Sequence, residues 1–453
     1  MQKEARSYCI KPELGKNYPF VSHGKGIYLY DKQGKAYIDG CSGAVTASIG
    51  HGVEEIAEAM HRQALQVSFA YRSHFSSDAV EELAAKLAEW SPGEINWTFF
   101  VNSGSEATET AQKIAIQYWQ EQGYARKNRI VSRWMSYHGI TMGALSMSGH
   151  VLRRKRFVPL LADYPAISAP YPYRKPAGMS DEEYGLACAN ELETAIARIG
   201  SENVAAFIAE PIIGASGGAV VPPDGYFERI REICDKYNVL FIADEVMTGM
   251  GRTGEKFGID HWHVTPDIMA LGKGMSAGYT PMAATMASDE IIETITKGSG
   301  LIMAGHTYSA NPQSAAVCLE VIRYLEKHSL VERARQQGSY LLTELGKLAE
   351  EFDFVGDARG RGLLCGLEFV QNKQSKKPFA LSQGITNRVI KRAFEHGLMI
   401  YPAVGAIEGV AGDAIIVAPP LVISKEEIDQ VISILRQTLV DIQDELYREQ
   451  LLS

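Results

Sequence analysis

Val239-Leu240-Phe241-Ile242-Ala243-Asp244-Glu245 is five apolar residues in unbroken succession, closed by two acids. A strand with one wet face alternates apolar and polar residues. A run without alternation is buried on both faces, as in a parallel sheet covered by helices. Upstream, Tyr226 to Tyr237 has helical spacing, with Ile230, Ile233 and Cys234 turned inward, and Val204 to Ala209 is a second continuous apolar run. Downstream lies a shorter one, Ile268 to Leu271. Such strands interleaved with helices predict an α/β fold on a mostly parallel sheet.

Ligands bind beyond the carboxyl ends of parallel strands, which is where Asp244 stands. Lys273 follows Ile268 to Leu271 and is flanked by Gly272 and Gly274. The interval of 29 residues from Asp244 to Lys273 suits one crossover and a return to the same sheet edge. The glycines leave room for a bulky group on the amine, so Lys273 is a candidate for Schiff-base chemistry. A third segment, Asn102-Ser103-Gly104-Ser105-Glu106-Ala107, joins an expected strand at Trp97 to Val101 to an expected helix from Glu106 to Trp119. Gly104 lets a ligand approach the backbone, and the free amides with the Ser103 and Ser105 hydroxyls suit a phosphate. The helix dipole adds about 0.3–1 kcal/mol per interacting charge.

The flanking regions read differently. Turn signals at Gly24, Gly26, Asp31 to Gly34 and Asp39-Gly40 separate short apolar pieces, a small β meander. From Ser77, Val80, Leu83, Ala84, Leu87 and Ala88 share a helical face, with Glu82 four residues before Lys86. Beyond Gln313 the chain reads as helix to Leu348, then strands at Gly362 to Val370, then a last amphipathic helix. Ser424 and Glu427 form its capping box; Ile428, Val431, Ile432, Leu435, Leu439 and Ile442 form its stripe. The expected division is a large domain over 61–318 and a smaller α+β domain over 319–453, with 1–60 packing on the smaller one.

Composition removes other classes. The chain has 453 residues and a formal charge of -9, without the basic face that nucleic acid or an anionic membrane surface requires. The six cysteines are scattered, with no Cys-x-x-Cys pair, as free thiols of a reducing compartment are. Met1-Gln2-Lys3-Glu4-Ala5-Arg6 is charged and leads into no apolar stretch, so no cleaved signal peptide is expected. No run reaches the roughly 20 apolar residues of a membrane helix, and a cytoplasmic location is expected. Gly249 to Gly254 spells a dinucleotide fingerprint, but it begins past the strand and no helix pattern follows. Gly272-Lys273-Gly274 lacks the earlier glycine and the Ser or Thr of a P-loop. His261-Trp262-His263 has no third metal ligand nearby, and no metal site is expected.

Taken in order, Ser103-Gly104-Ser105-Glu106-Ala107, Tyr137-His138-Gly139, Ala209-Glu210-Pro211, Asp244-Glu245-Val246, Thr248 to Gly254, Gly272-Lys273-Gly274, Gly305 to Pro312, Arg359 to Leu363 and Ala418-Pro419-Pro420-Leu421 form one series. It resembles the class III (ω-type) aminotransferases, pyridoxal-5′-phosphate (PLP) enzymes of fold type I, over nearly the whole chain. The resemblance implies that Lys273 carries PLP as a Schiff base and moves the substrate proton. It implies that Asp244 pairs with the pyridinium nitrogen, that Ser103, Gly104 and Ser105 bind the phosphate, and that Tyr137 and Val246 pack on the two ring faces. Thr307 would reach the phosphate of the neighbouring subunit in a homodimer with interfacial sites, and Glu210 would lie on the cofactor and substrate side. The implied reaction passes an amino group from an amine or ω-amino acid to a small keto acid such as pyruvate, by a ping-pong scheme. A decarboxylase or aminomutase shares the fold, and a non-catalytic binding module is the reading from another class.

The chain departs from the family where an arginine commonly receives the substrate carboxylate. Val417 stands two residues before Pro419 where one such arginine is placed, and Tyr401 precedes Pro402 where a mobile one is placed, followed by an extended Gly405 to Gly412 loop. The position after Val246, often Gln or Ile in the family, is Met247. Arg361, Arg153, Arg154 or a backbone site remain as substitutes. Ser42-Gly43-Ala44, read as a nearby strand, offers small side chains suited to a bulky substrate.

Overall fold

A computed structural model describes residues 8–452; the charged segment Met1 to Arg6 lies outside the described residues. The central feature is a seven-stranded sheet in the order Trp97–Val101, Ala283–Ala287, Ile268–Leu271, Leu240–Asp244, Val204–Ala209, Arg129–Arg133, Ala166–Ile167. Only Ala283–Ala287 runs against its neighbours; the other pairings are parallel. The fold class is α/β, a mostly parallel sheet covered by helices on both faces.

The unbroken apolar runs have their cause in the two covered faces. Ile208, Ile242 and Ile268 pack against Ala111, Ile114, Ala115 and Trp119 of the helix Gly104–Glu121 and against Ile291 and Ile295. Their neighbours Phe207, Phe241 and Met269 belong to the opposite layer, with Leu192 and Ile196 of Asp181–Ile199 and Phe227 and Ile230 of Tyr226–Tyr237. Alternate side chains thus enter different cores, and each strand must be apolar throughout. The register sets Asp244 beside Ala270, so the carboxyl end of one strand and the approach to Lys273 share a sheet edge.

Two smaller sheets flank this one. Val355–Arg361, Leu364–Phe369, Ala411–Val417 and Tyr401–Ile407 form an antiparallel sheet. Val21–Lys25, Tyr28–Asp31 and Ala36–Asp39 form the meander, whose last strand pairs in parallel with Leu398–Met399 from the far end of the chain. The closing helix Lys425–Arg448 carries both bonds of the Ser424–Glu427 capping box and buries its six stripe residues.

Several expectations are corrected. The 313–348 helical stretch is two helices, Pro312–Lys327 and Leu330–Glu351, broken where Ser329 takes φ +49°. The Gly405 to Gly412 loop is the tip of a hairpin, paired from Tyr401 to Ile407. Ser42 to Ala44 is a tight turn with Gly43 at φ +67°, not a strand. Lys86 pairs with Glu89 and Glu326 rather than Glu82, which binds Arg323. Among the described residues no helix is long and apolar enough to cross a membrane, and no cluster could hold a metal ion.

Candidate active site

One cleft, enclosing about 150 Å³, is lined by Gly104, Ser105, Tyr137, His138, Gly139, Glu210, Asp244, Val246, Met247 and Lys273. It lies beyond the carboxyl ends of the central strands, and it gathers seven of the nine residues singled out from sequence. Ser103 and Thr307 are not among them. Ser103 is exposed, and its hydroxyl accepts the Glu106 N–H at 3.3 Å, so it caps the helix. Thr307 is exposed in a surface groove with Tyr71, Arg72, Asn102, Glu106, His306 and Tyr308.

The helix Gly104–Glu121 begins two residues before the sequence suggested. Ser103 satisfies the amides of Glu106, through its hydroxyl, and of Ala107, through its carbonyl. The Gly104 and Ser105 amides enter none of the described hydrogen bonds and stand at the positive end of the helix, an arrangement suited to an anion. Space is tight there. A Cβ on Gly104 would lie 2.7 Å from Val246 Cγ1, so only glycine lets the helix start and the Val246 side chain meet.

Asp244 is buried and held from two sides. Its Oδ1 accepts the Val246 N–H at 3.1 Å, and its Oδ2 lies 2.7 Å from His138 Nδ1. His138 is fixed in turn: its N–H donates to Ser148 Oγ, its carbonyl accepts from Thr108 Oγ1, and its Nε2 is buried without a partner. The adjoining acid, Glu245, turns away from the cleft and accepts from Thr248 Oγ1 and the Gly258 and Ile259 amides. Burial still pushes its carboxyl up to about 7 against those donors. Glu210 accepts the Tyr137 and Gly214 amides, each at 3.1 Å, and burial raises its carboxyl above the usual range.

The Lys273 side chain makes no hydrogen bond or ion pair with the described residues; its carbonyl accepts the Ser276 N–H at 3.2 Å, and its backbone sits at φ +41°. Burial pushes its amine down to about 8; the Asp244 and Glu210 carboxylates oppose that shift and the Arg153 guanidinium adds to it. The sign follows from desolvation, which disfavours the charged form. The neutral, nucleophilic amine therefore appears as pH rises through about 8 rather than near 10.5. In the cofactor-free protein, modification of Lys273 by trinitrobenzenesulfonate, read by peptide mass spectrometry, is expected to be half-maximal near pH 8. A midpoint at the exposed lysines' value would contradict the desolvated site.

His138, Gly139 and Met247 were not assigned roles from sequence. Tyr137-His138-Gly139 was visible as a motif, but the partner of His138 is 106 residues away, and nothing local signals the pair. Val417 and Tyr401 are settled in the C-terminal sheet, Val417 fully buried opposite Cys365.

Comparison with known proteins follows the same lines. A family model described as aminotransferase class-III matches residues 11–439. An uncharacterized aminotransferase of Bacillus subtilis, YodT, is 53% identical over 443 residues, covering 98% of this chain and 100% of that one. The putrescine–pyruvate aminotransferase of Pseudomonas aeruginosa is 37% identical over 426 residues, covering 92% and 90%. Among solved structures, an (S)-enantioselective omega-transaminase from Thermomicrobium roseum superposes with a TM-score of 0.90 at 40% identity, covering 94% and 93%. A PLP-bound amine transaminase from an uncultivated Pseudomonas species gives 0.91 at 33%, covering 97% and 100%.

Proposed function

Because the chain belongs to the class III aminotransferases, a PLP-dependent family, we propose that it transfers an amino group from a primary amine or ω-amino acid to a small keto acid such as pyruvate, in two half-reactions at Lys273. The observation that carries this reading is the convergence of Lys273, Asp244 and the Gly104–Ser105 amides on one cleft. A phosphate, a basic ring nitrogen and an aldehyde carbon each find a suitable group there. Bound in this cleft, PLP supplies an electron sink conjugated to the carbon that gains or loses the amino group.

The chain's own residues supply the rest. Lys273 Nζ would hold the cofactor, and its amine would be the base that takes a proton from the substrate carbon and returns it. Its depressed amine suits the task, since a general base works best with a pKa near the working pH. Asp244, oriented by His138 and the Val246 amide, would hold a proton on the ring nitrogen. Val246 and Tyr137 would confine the ring, and the helix start would hold the phosphate. Gly104→Ala is expected to weaken PLP binding roughly 10-fold or more while the protein stays folded, because a methyl group would overpack against Val246. Fluorescence titration with PLP checks this; an unchanged dissociation constant would remove Gly104 from the phosphate cradle.

The active unit in this reading is a homodimer. Leu65, Phe69, Tyr71, Phe75, Leu301, Met303 and Tyr308 are exposed apolar side chains, a pattern typical of interaction surfaces. Their two segments are tied together by the Phe69–Tyr308 ring contact and by bonds from Arg72 to the Ala304 carbonyl and from Asn311 to the Ser68 carbonyl. Thr307 lies within this surface, and in this reading it reaches the phosphate of a second copy. The proposal is tested by incubating the PLP-loaded protein with diamines, benzylamine and 4-aminobutyrate, each with pyruvate. Alanine formation without carbon dioxide release supports it; carbon dioxide release without alanine would establish the decarboxylase alternative instead.

A further inference from the structure

The side chains around the Lys273 amine include two buried carboxylates, Asp244 and Glu210, and no exposed cation on the cleft wall. A keto acid is an anion, and that floor alone would repel it. Among the other arginines of this region, Arg252, Arg154 and Arg361 are engaged, and Arg133 is sealed in the core with its Nε and Nη1 unpartnered. Arg133 is fully buried and donates to the Glu210 carbonyl. Arg252 is buried and spends its guanidinium on the Leu363 and Pro419 carbonyls and Ser42 Oγ. Arg154 donates to three carbonyls, those of Leu145, Ser146 and Ser148. Arg361 pairs with Asp224 and lies over the Trp262 ring.

Arg153 is the exception. It forms no ion pair among the described residues, and its guanidinium carbon sits 4.3 Å from the centre of the Tyr137 ring, a wall of the cleft. Its charge acts on the Lys273 amine. The short helix Val151–Arg154 that bears it is braced by the C-terminal hairpin tip. A Cβ on Gly405 would meet Leu152 Cδ1 at 2.8 Å, and one on Gly409 would meet Val151 Cβ at 2.3 Å. The hairpin thus supplies no cation of its own and instead presses on the element that presents one.

We propose that Arg153 is the receptor for the carboxylate of the keto-acid acceptor, and that it sets a preference for anionic over neutral carbonyl substrates. This rests on the aminotransfer reaction proposed above. The Arg153 guanidinium also directs an N–H at the Tyr137 hydroxyl, and its remaining N–H groups offer a carboxylate a planar fork that a lysine ammonium cannot match in geometry. A purely structural role, in which Arg153 only steadies the Tyr137 ring, predicts equal damage to charged and neutral substrates.

The test compares wild type, Arg153→Met and Arg153→Lys in the PLP-loaded enzyme, with the amine donor fixed as benzylamine. Each is assayed with pyruvate and with propanal, and propanoate binding is measured by calorimetry. Arg153→Met is expected to raise KM for pyruvate and the propanoate dissociation constant roughly 10- to 100-fold. Its kcat/KM for propanal is expected to stay within about two-fold, and Arg153→Lys to fall between. An equal loss with propanal, or an unchanged KM for pyruvate, would overturn the assignment. Failure of the wild type to aminate either acceptor would instead overturn the underlying reaction, and is separable because it appears before any substitution.

Discussion

Lys273→Ala is expected to lower transamination by roughly 10⁴-fold, the upper end of what one acid–base group contributes. Both roles proposed for Lys273 are lost together: the covalent anchor and the base that moves the substrate proton. The effect falls on turnover rather than on folding. The side chain makes no bond to the described residues, and removing a desolvated amine relieves a cost instead of creating one. The variant should therefore keep the melting temperature of the cofactor-free wild type and still take up PLP through the helix start, without the visible band of a lysine-bound aldehyde. Steady-state assays with any productive amine and pyruvate check it. Wild-type turnover in this variant would remove Lys273 from the chemistry.

Asp244→Asn is expected to be the second most damaging change. An opposite charge at this range shifts a partner's pKa by about 1–3 units, so losing it should cost on the order of 10- to 1000-fold in rate. The substitution preserves shape, and the Val246 amide retains an oxygen acceptor. PLP binding should persist at reduced affinity. The contact with His138 Nδ1 changes character, because an amide replaces a carboxylate at a buried 2.7 Å contact. Single-turnover kinetics of amine oxidation separate this from weakened binding; a rate within two-fold of wild type would mean that the ring nitrogen is held by another group.

The layered sheet was legible because burial on two faces demands continuous apolar runs, and Val204–Ala209, Leu240–Asp244 and Ile268–Leu271 obey it. Charged residues at strand ends, Asp244 and Lys273, stood out for the same reason: they interrupt a pattern that has no local need of them. Local cues placed boundaries less well. The helix at Gly104 starts early because Ser103 caps it, and glycine's poor helix propensity hid that start. The break at Ser329 carries no proline or glycine to announce it. Contacts between distant segments left no trace in the sequence. The His138–Asp244 pair, the turning of Ser103 to cap the helix, and the engagement of Arg154 and Arg361 elsewhere all depend on which carbonyls and acids the fold brings near.

The most direct test of the central claim is the absorption spectrum of the PLP-loaded protein through one complete cycle. The account predicts a visible band that disappears on adding a productive amine and returns on adding pyruvate, with one alanine formed per site. A protein that takes up no PLP, or a band indifferent to every amine and to pyruvate, would contradict it.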